Sequence, residues 1–280
     1  MSALPDGTVG SVTTDDHEFM PVKSADRTLD VLEALASGTA GLAELSARLK
    51  IPKSSLHSIL RTLTHRGWVD ADATRTTYSL GMNALLIGSS YVDQDPTVFR
   101  TTEVLDRIAA QTSETVHLAR LELPDVVYLA KRESTHPLRM FSAIGRRLPA
   151  HATALGKAML AELPDDTIRR IMPEELPAST AYTITSREAL IDHLAQVREQ
   201  GYAVDAQEAG LGMRCFAVVL PFQSPGRDAI SCSVPLARLD DEKEQSIIEL
   251  LLNTREQLSH QFGGRRISSH QGDPSAEHHR

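Results

Sequence analysis

The sequence predicts an α+β chain with a small helical N-terminal part and a larger C-terminal domain built around a sheet. Three observations support this prediction. Apolar residues recur at helical spacing from residue 24 to about residue 66, and beyond Thr112 short β-prone runs alternate with helical segments. The chain also has 280 residues, of which 41% are hydrophobic and 24% charged, so it is long enough to bury one or two cores.

The first part of the chain contains three predicted helices and a tight turn. Their apolar stripes are Leu29, Leu32 and Leu35, then Leu42, Leu45 and Leu49, then Leu56, Ile59, Leu60 and Leu63. The third helix spans about Lys53 to Arg66 and stops before Gly67. Pro52 fits its first turn, where the missing N–H has no partner, so the turn from the second helix is short. This order is typical of a helix-turn-helix.

A hairpin and two more helices follow. Trp68–Asp70 and Thr76–Leu80 are β-prone runs around a polar turn, which predicts the wing of a winged helix-turn-helix. Helices are predicted over Met82–Val92 and Pro96–Gln111, the second opened by Asp95 as its N-cap. These two helices are expected to link the domains and to carry part of a dimer contact.

Strands and helices then alternate in the C-terminal part. The predicted strands are Thr115–Leu121, Val126–Lys131, Leu138–Ile144, Tyr202–Asp205, Cys215–Phe222 and Ala229–Val234. The predicted helices are Thr153–Leu163, ended by Pro164, a helix opened by a capping box from Thr185 to Glu188 and closed by Gly201, and Asp240–Phe262. Together they predict one α+β sheet domain.

The third helix carries a polar face suited to DNA. Opposite its apolar stripe lie Lys53, Ser54, His57, Ser58, Arg61 and His65, with Ser55 near the edge of this face. No acidic residue occurs between Glu44 and Asp70, and residues 21–80 hold eight Lys or Arg against six Asp or Glu, although the whole chain has a net charge of −8. Arg75 lies at the wing tip, where a cation can contact backbone phosphate. The alternative is the solvated face of an ordinary three-helix unit.

Composition and the predicted elements also indicate where the protein is located in the cell and how the chain divides into domains. The first residues are acidic and lack the apolar core of a signal peptide, no apolar stretch is long enough for a membrane helix, and Cys215 and Cys232 are too few for a disulfide scaffold. A cytoplasmic protein without membrane contact is therefore expected. The predicted divisions are a tail over 1–20, a winged helix-turn-helix over 21–81, a helical linker and dimerisation region over 82–111, a ligand-binding domain over 112–264 and a tail over 265–280.

Ordered motifs along the chain resemble the IclR family of bacterial transcriptional regulators. The segments that carry the resemblance are Ser24–Glu33, Ile51–His57, Tyr78–Gly81, Leu148–Ala158 and Gly201–Cys215. One departure lies in the third helix, where Ser58 stands at a position at which the family usually has arginine, and Arg61 follows one turn later. The operator sequences of the family are therefore not carried over to this chain.

The resemblance implies a GAF-like C-terminal domain that binds small organic acids. Positions that match the ligand contacts of the family are Leu138, Met140, Ala154, Leu155, Asp205, Cys215, Ser231 and Ser233. Their chemistry is suitable, because amides at a helix start can hold a carboxylate and two serines at alternate strand positions share a face. The alternatives are purely structural roles: Cys215 is a core residue, Asp205 forms a turn, and the serines line a half-polar sheet.

The expected function is a repressor whose binding to a double-stranded DNA operator, as a homodimer or tetramer, is controlled by a small organic acid. That acid is expected to carry hydroxyl or oxo groups, as in a sugar acid or short oxo acid, with Asp205 accepting hydrogen bonds from hydroxyls or through water. An aromatic acid held by apolar contact with Leu138, Met140 and Phe141 is the alternative. A hydrolase or thiol enzyme, or an architectural DNA binder, is disfavoured, because no G-x-S-x-G, P-loop, G-x-G-x-x-G or H-E-x-x-H motif occurs and the large C-terminal domain is acidic. No catalytic residue, cofactor or metal is expected.

Overall fold

The computed structural model describes residues 20–74, 76–137 and 142–262. The tails predicted over residues 1–20 and 265–280 lie outside these ranges, with the exception of Met20. The chain divides into two compact units between Ser90 and Tyr91, and each is described separately below.

The first unit contains the predicted helices and hairpin. Its helices are α1 (Lys23–Ala36), α2 (Leu42–Leu49) and α3 (Lys53–His65), and its strands are β1 (Ala40–Gly41), β2 (Val69–Ala71) and β3 (Thr77–Leu80). The three strands form an antiparallel sheet in the order β1-β3-β2. Strand β1 was not predicted, because two residues show no alternation that a sequence pattern could reveal.

The core of the first unit follows the helical stripes with one correction. Leu45, Leu56, Leu60 and Leu63 are buried as predicted. Leu29, however, is 58% exposed, and α1 instead buries Val31, Ala34 and Leu35. Leu35 is thus buried as predicted and Leu32 packs against the same core, while Val31 and Ala34 are buried in place of Leu29.

The second unit is organised around one sheet. Helix α4 (Met82–Gln94) crosses the division, and it is followed by α5 (Pro96–Thr112), β4 (Thr115–Glu122), β5 (Asp125–Arg132), β6 (Arg147–Pro149), α6 (Ala154–Leu160), α7 (Asp165–Ile171), α8 (Arg187–Gln200), β7 (Ala203–Ala206), β8 (Met213–Val219), β9 (Asp228–Pro235) and α9 (Asp241–Phe262). The sheet has six strands in the order β6-β5-β4-β9-β8-β7, and every neighbouring pair is antiparallel. The α+β prediction is confirmed.

The sheet carries helices on both faces. One core joins the sheet to α6 and α8, and the other joins it to α5 and α9. Because side chains alternate along a strand, β9 sends Ser231 and Ser233 toward the α6 side, while Ile230 and Cys232 lie in the core with α9. This alternation positions the polar residues of β9 on the same side as the start of α6.

A partly buried cation joins α5 to two central strands. Arg120 of β4 forms ion pairs of 2.6 Å with both Asp95, before α5, and Asp228, the first residue of β9. Asp95 also caps α5 as predicted, accepting from the amides of Thr97 and Val98 at 2.9 and 3.2 Å. The phenol of Tyr91 accepts a further bond from Arg120 at 3.0 Å. The end of α4 and the start of α5 are thereby tied to the sheet.

Three predictions for the second unit were wrong in detail. Residues 142–144 form no strand; the sheet is extended instead by β6, which follows the turn at Gly145 (φ +81°) and pairs with β5. The predicted capping box is absent, because α8 begins after Ser186 without a side-chain cap and Glu188 pairs with Arg169 across to α7. Helix α7 was not predicted, and Pro164, expected only to end a helix, stands directly before it.

Candidate functional site

The recognition surface predicted for DNA lies on the exposed face of α3. Lys53, Ser54, His57, Ser58 and Arg61 are exposed, and Ser55 is half-buried at the edge of this face. The opposite face is fixed in the core by the leucines of α3. The helix therefore presents hydroxyl, imidazole and cationic groups on a rigid support, which is the chemistry that base edges and phosphates require.

The turn before α3 is fixed by local geometry. Lys50 ends α2 in the left-handed conformation (φ 53°), and the hydroxyl of Ser46 donates to the Ile51 carbonyl at 2.7 Å. On α3 itself the hydroxyl of Ser58 donates to the Ser54 carbonyl at 3.1 Å. Ser58 is short, and its hydroxyl is bonded to its own helix. Among the predicted DNA contacts beyond the first turn of α3, Arg61 has the longest side chain.

The wing is held by Asp72. Its carboxylate accepts from the hydroxyl of Thr74 at 2.6 Å and from the amides of Thr76 and Thr77 at 2.7 and 3.1 Å. The Thr74 hydroxyl, with these amides, holds the pKa of Asp72 well below its usual range. Arg75, the predicted phosphate contact at the tip, lies outside the described residues.

A cavity of about 190 Å³ opens between the sheet and the start of α6. It is lined by the predicted residues Ala154, Leu155, Asp205, Cys215, Ser231 and Ser233. The remaining lining residues are Tyr128, Arg146, Leu148, Thr153, Ala209, Gly210 and Met213. The structure thus brings together six residues from three distant segments of the chain. Leu138 and Met140, predicted as an apolar wall, lie outside the described residues.

The start of α6 forms one wall. The Thr153 hydroxyl caps the helix by accepting from the Gly156 amide at 3.0 Å. Because α6 begins at Ala154, the amides of Ala154 and Leu155 have no acceptor within the helix. A Cβ added at Gly156 would lie 2.1 Å from the carbonyl oxygen of Ala150, so this glycine allows the helix to approach the preceding turn. The wall depends on that close contact.

Strands β8 and β9 form the opposite wall. Ser233 lies across from Thr115 on one side and from Cys215 on the other, and Ser231 lies across from His117 and Ala217. Burial raises the pKa of the Cys215 thiol well above its usual range, so this sulfur is a neutral thiol rather than a nucleophilic thiolate.

Asp205 is the buried acid of the cavity. Its Oδ1 accepts the amides of Glu208 at 2.6 Å and Ala209 at 3.3 Å, in the turn that follows β7. Burial raises its pKa to about 6, against the effect of these amides. Glu208 in turn forms a buried ion pair with Lys157 of α6. Asp205 therefore combines the turn-forming role considered from the sequence with a position in the cavity wall.

Comparison with known proteins agrees with this arrangement. Residues 89–260 match the family described as bacterial transcriptional regulator IclR C-terminal, and residues 24–73 match the IclR helix-turn-helix domain. The chain belongs to the IclR family. It is therefore a transcriptional regulator, with a DNA-binding helix-turn-helix and a C-terminal effector domain.

Individual IclR-family members support the assignment along nearly the whole chain. The HTH-type transcriptional regulator KdgR of Escherichia coli (strain K12) is 35% identical over 253 residues, which cover 89% of this chain and 95% of KdgR. The transcriptional repressor IclR of the same strain is 30% identical over 256 residues, covering 88% and 92%. A crystal structure of a regulator from Alicyclobacillus acidocaldarius has a TM-score of 0.75 at 27% identity, covering 86% of this chain and 99% of its own.

Among the residues that line this IclR-family cavity, Tyr128 and Arg146 were not foreseen, and neither was His117, which contacts Tyr128. Tyr128 stacks on His117 with ring centroids 4.5 Å apart, and His117 bonds to the Ser142 hydroxyl at 2.8 Å. Burial lowers the pKa of His117 to about 3, so its ring is neutral. The alternation of β5 places Tyr128 on this face, but no local signal identified Arg146. His151 is buried and donates to the Pro177 carbonyl at 3.0 Å, and neither residue lines the cavity.

Among residues 20–74, 76–137 and 142–262, no group of three or more His, Cys, Asp or Glu side chains is placed to hold a metal ion. None of the helices described is both long and apolar enough to span a bilayer.

Proposed function

We propose that this regulator is a repressor that binds its operator as a homodimer or tetramer and responds to a small organic acid bearing hydroxyl or oxo groups. The proposal rests on the observation that one cavity is lined by Ala154, Leu155, Asp205, Ser231 and Ser233. The repressor assignment is supported by the name of the related IclR repressor.

The cavity offers different chemistry to the two ends of a ligand. Amides of Ala154 and Leu155 and the hydroxyls of Ser231 and Ser233 supply donors for a carboxylate. Asp205 offers a carboxyl group on the side of the β7 turn. An acid that also carries oxygen substituents can bond to both sets of groups, whereas a plain hydrocarbon would leave buried polar groups without partners. An aromatic acid remains the alternative, because Tyr128 and Met213 add apolar surface.

Ligand binding is expected to stabilise the folded chain. Thermal unfolding is measured with pyruvate, gluconate and benzoate, which represent oxo, sugar and aromatic acids. An acid present at 100 times its Kd adds about 2.7 kcal/mol to the free energy of unfolding. Stabilisation by pyruvate or gluconate and not by benzoate supports the proposed class, and stabilisation by benzoate alone supports the alternative.

The double substitution Ser231→Ala and Ser233→Ala should weaken that binding by roughly 1 to 3 kcal/mol, because a charged acceptor loses two hydroxyl donors. Calorimetric titration of the stabilising acid measures the loss. Ser246→Ala, on the exposed side of α9, is the matched control and should bind like the unaltered chain. Unchanged affinity in the double variant would contradict the proposed carboxylate position.

The substitutions Arg61→Ala and Lys53→Ala should have different effects on DNA binding. Arg61→Ala should cost about 1 to 3 kcal/mol and alter base preference if the guanidinium contacts a guanine, whereas Lys53→Ala, at the start of α3, should weaken all sequences alike. Binding of both variants to a randomised operator library separates the two effects. A uniform loss in both would show that Arg61 holds the backbone and does not contact bases.

Helix α4 supports a homodimer. None of its residues is buried, although Leu85, Leu86 and Ile87 are apolar and more than half exposed. We expect a second copy of the chain to cover this surface, because two-fold operators pair recognition helices about 34 Å apart. Leu85→Glu with Leu86→Glu should then give monomers in light scattering. Leu123→Glu, an exposed leucine in the β4–β5 turn, is the control, and dimers that survive the α4 double variant would place the interface elsewhere.

A further inference from the structure

The cavity wall contains an unbalanced cluster of buried charges. Asp205, Glu208 and Lys157 are 3%, 5% and 0% exposed. Glu208 Oε1 pairs with the Lys157 ammonium, while Glu208 Oε2 is buried and has no hydrogen-bond partner in the described part of the chain. Asp205 Oδ1 accepts two amides of the turn after β7. Two carboxylates thus share one buried cation.

The other groups around Asp205 supply little compensating charge. On the sheet, Cys215 lies across from Asp205 and Tyr128 lines the same cavity; burial raises the pKa of both, so both are neutral. The ring of His117, stacked on Tyr128, is also neutral because burial lowers its pKa to about 3. Arg146 faces the cavity from the segment before β6, but it is exposed, so water screens its charge. An anion entering the cavity therefore meets a buried net negative charge.

We infer that Asp205 holds the effector as a neutral carboxylic acid, so that binding of the acid takes up one proton. This inference rests on the proposed function, namely that an organic acid occupies the cavity. An anion a few ångströms away favours the protonated form of a carboxyl group that is already desolvated. Burial, which raises the pKa of Asp205 to about 6, acts in the same direction. Proton uptake removes the repulsion that two buried anions would otherwise face.

The inference refines the chemistry of the effector. A carboxylate only accepts hydrogen bonds, whereas a carboxylic acid also donates one. Since Oδ1 is engaged by the turn amides, the proton at Oδ2 would be donated to an acceptor on the ligand. An oxo oxygen is such an acceptor and cannot itself donate. The site is therefore better suited to an oxo acid than to an acid that offers Asp205 only hydrogen-bond donors.

The test is calorimetric titration of the full chain with pyruvate and with gluconate in buffers of different ionisation enthalpy. At pH 7.5 the buffer dependence should report about one proton taken up per acid bound, and uptake should fall away toward pH 5, where Asp205 is already protonated. Between pH 6.5 and 8 the Kd should rise by up to about tenfold per pH unit. Asp205→Asn imitates the protonated group and should bind with a Kd that is flat over this range. Asp192→Asn, an exposed carboxyl on α8, is the control and should retain the uptake.

Each outcome decides between the two proposals. Binding of either acid without proton uptake overturns this inference and leaves the proposed function standing. If pyruvate and gluconate both fail to bind, the proposed effector class fails and the inference falls with it. Uptake that persists in Asp205→Asn places the proton on another group, and a folded Asp205→Asn chain that no longer binds shows that an ionised carboxylate is required. Should that variant unfold, the wild-type decline of uptake below pH 6 decides, and constant uptake down to pH 5 overturns the inference.

Discussion

Replacing Gly156 by alanine is expected to destabilise the second unit by about 3 kcal/mol or more, at the upper end of the cost of overpacking. The added Cβ would stand 2.1 Å from the Ala150 carbonyl oxygen and 2.4 Å from its Cα, both of them backbone atoms that cannot rotate away. Helix α6 would have to move off the turn before it, and the amides of Ala154 and Leu155 would move with it. Chemical denaturation measures the loss, and binding of the stabilising acid should fall together with it.

The matched control is Gly88→Ala in α4. A Cβ at Gly88 meets no atom within 4 Å, and alanine is a better helix former by about 0.8 to 1 kcal/mol. The same substitution should therefore have opposite signs at the two sites. If Gly156→Ala were as stable as the unaltered chain, the close packing of α6 on Ala150 would not be required for the cavity wall.

The second large effect is expected at Lys157. Replacing it by methionine keeps the length of the side chain but leaves Glu208 as a buried charge without its cation, and breaking such a pair typically costs about 3 to 5 kcal/mol. The free energy of unfolding at pH 7.5 measures this cost. Adding Glu208→Gln to Lys157→Met removes the uncompensated charge, so the double variant should recover part of the stability.

Glu188→Gln provides the contrast for this experiment. Glu188 pairs with Arg169, but both side chains are substantially exposed, and water screens the pair. This substitution should have little measurable effect on unfolding. A Lys157→Met chain that unfolds like Glu188→Gln would mean that Glu208 becomes protonated or solvated at no significant cost.

Local patterns predicted most of the elements. The stripe of α3, the Asp95 cap of α5 and the Gly201 end of α8 depend on neighbours within a few residues, so the sequence contains the information that positions them. The capping box before α8 shows the limit of such rules. Glu188 had the required spacing from Thr185, but α8 begins after Ser186, and Glu188 pairs with Arg169 of α7, a helix that had not been predicted.

The candidate cavity was predicted in part for a related reason. Ala154, Asp205 and Ser231 come from segments with recognisable motifs, so the family resemblance identified them before the fold was known. Arg146 and Tyr128 face the same space only because β5 and β6 pair beside β4, which is a long-range arrangement. The burial that shifts the pKa of Asp205 is likewise a property of the assembled sheet, and no sequence spacing reveals it.

The ion pairs of Arg120 affect where a fragment containing the effector domain should begin. Asp95 and Asp228 share this one guanidinium, and Tyr91 accepts from it as well. A fragment that begins at residue 112 would lose Asp95, Tyr91 and nearly all of α5, leaving Arg120 with half of its anionic partners and the α9 side of the sheet partly uncovered. An effector-domain fragment that keeps these contacts therefore begins at or before Tyr91, with the last turn of α4 included.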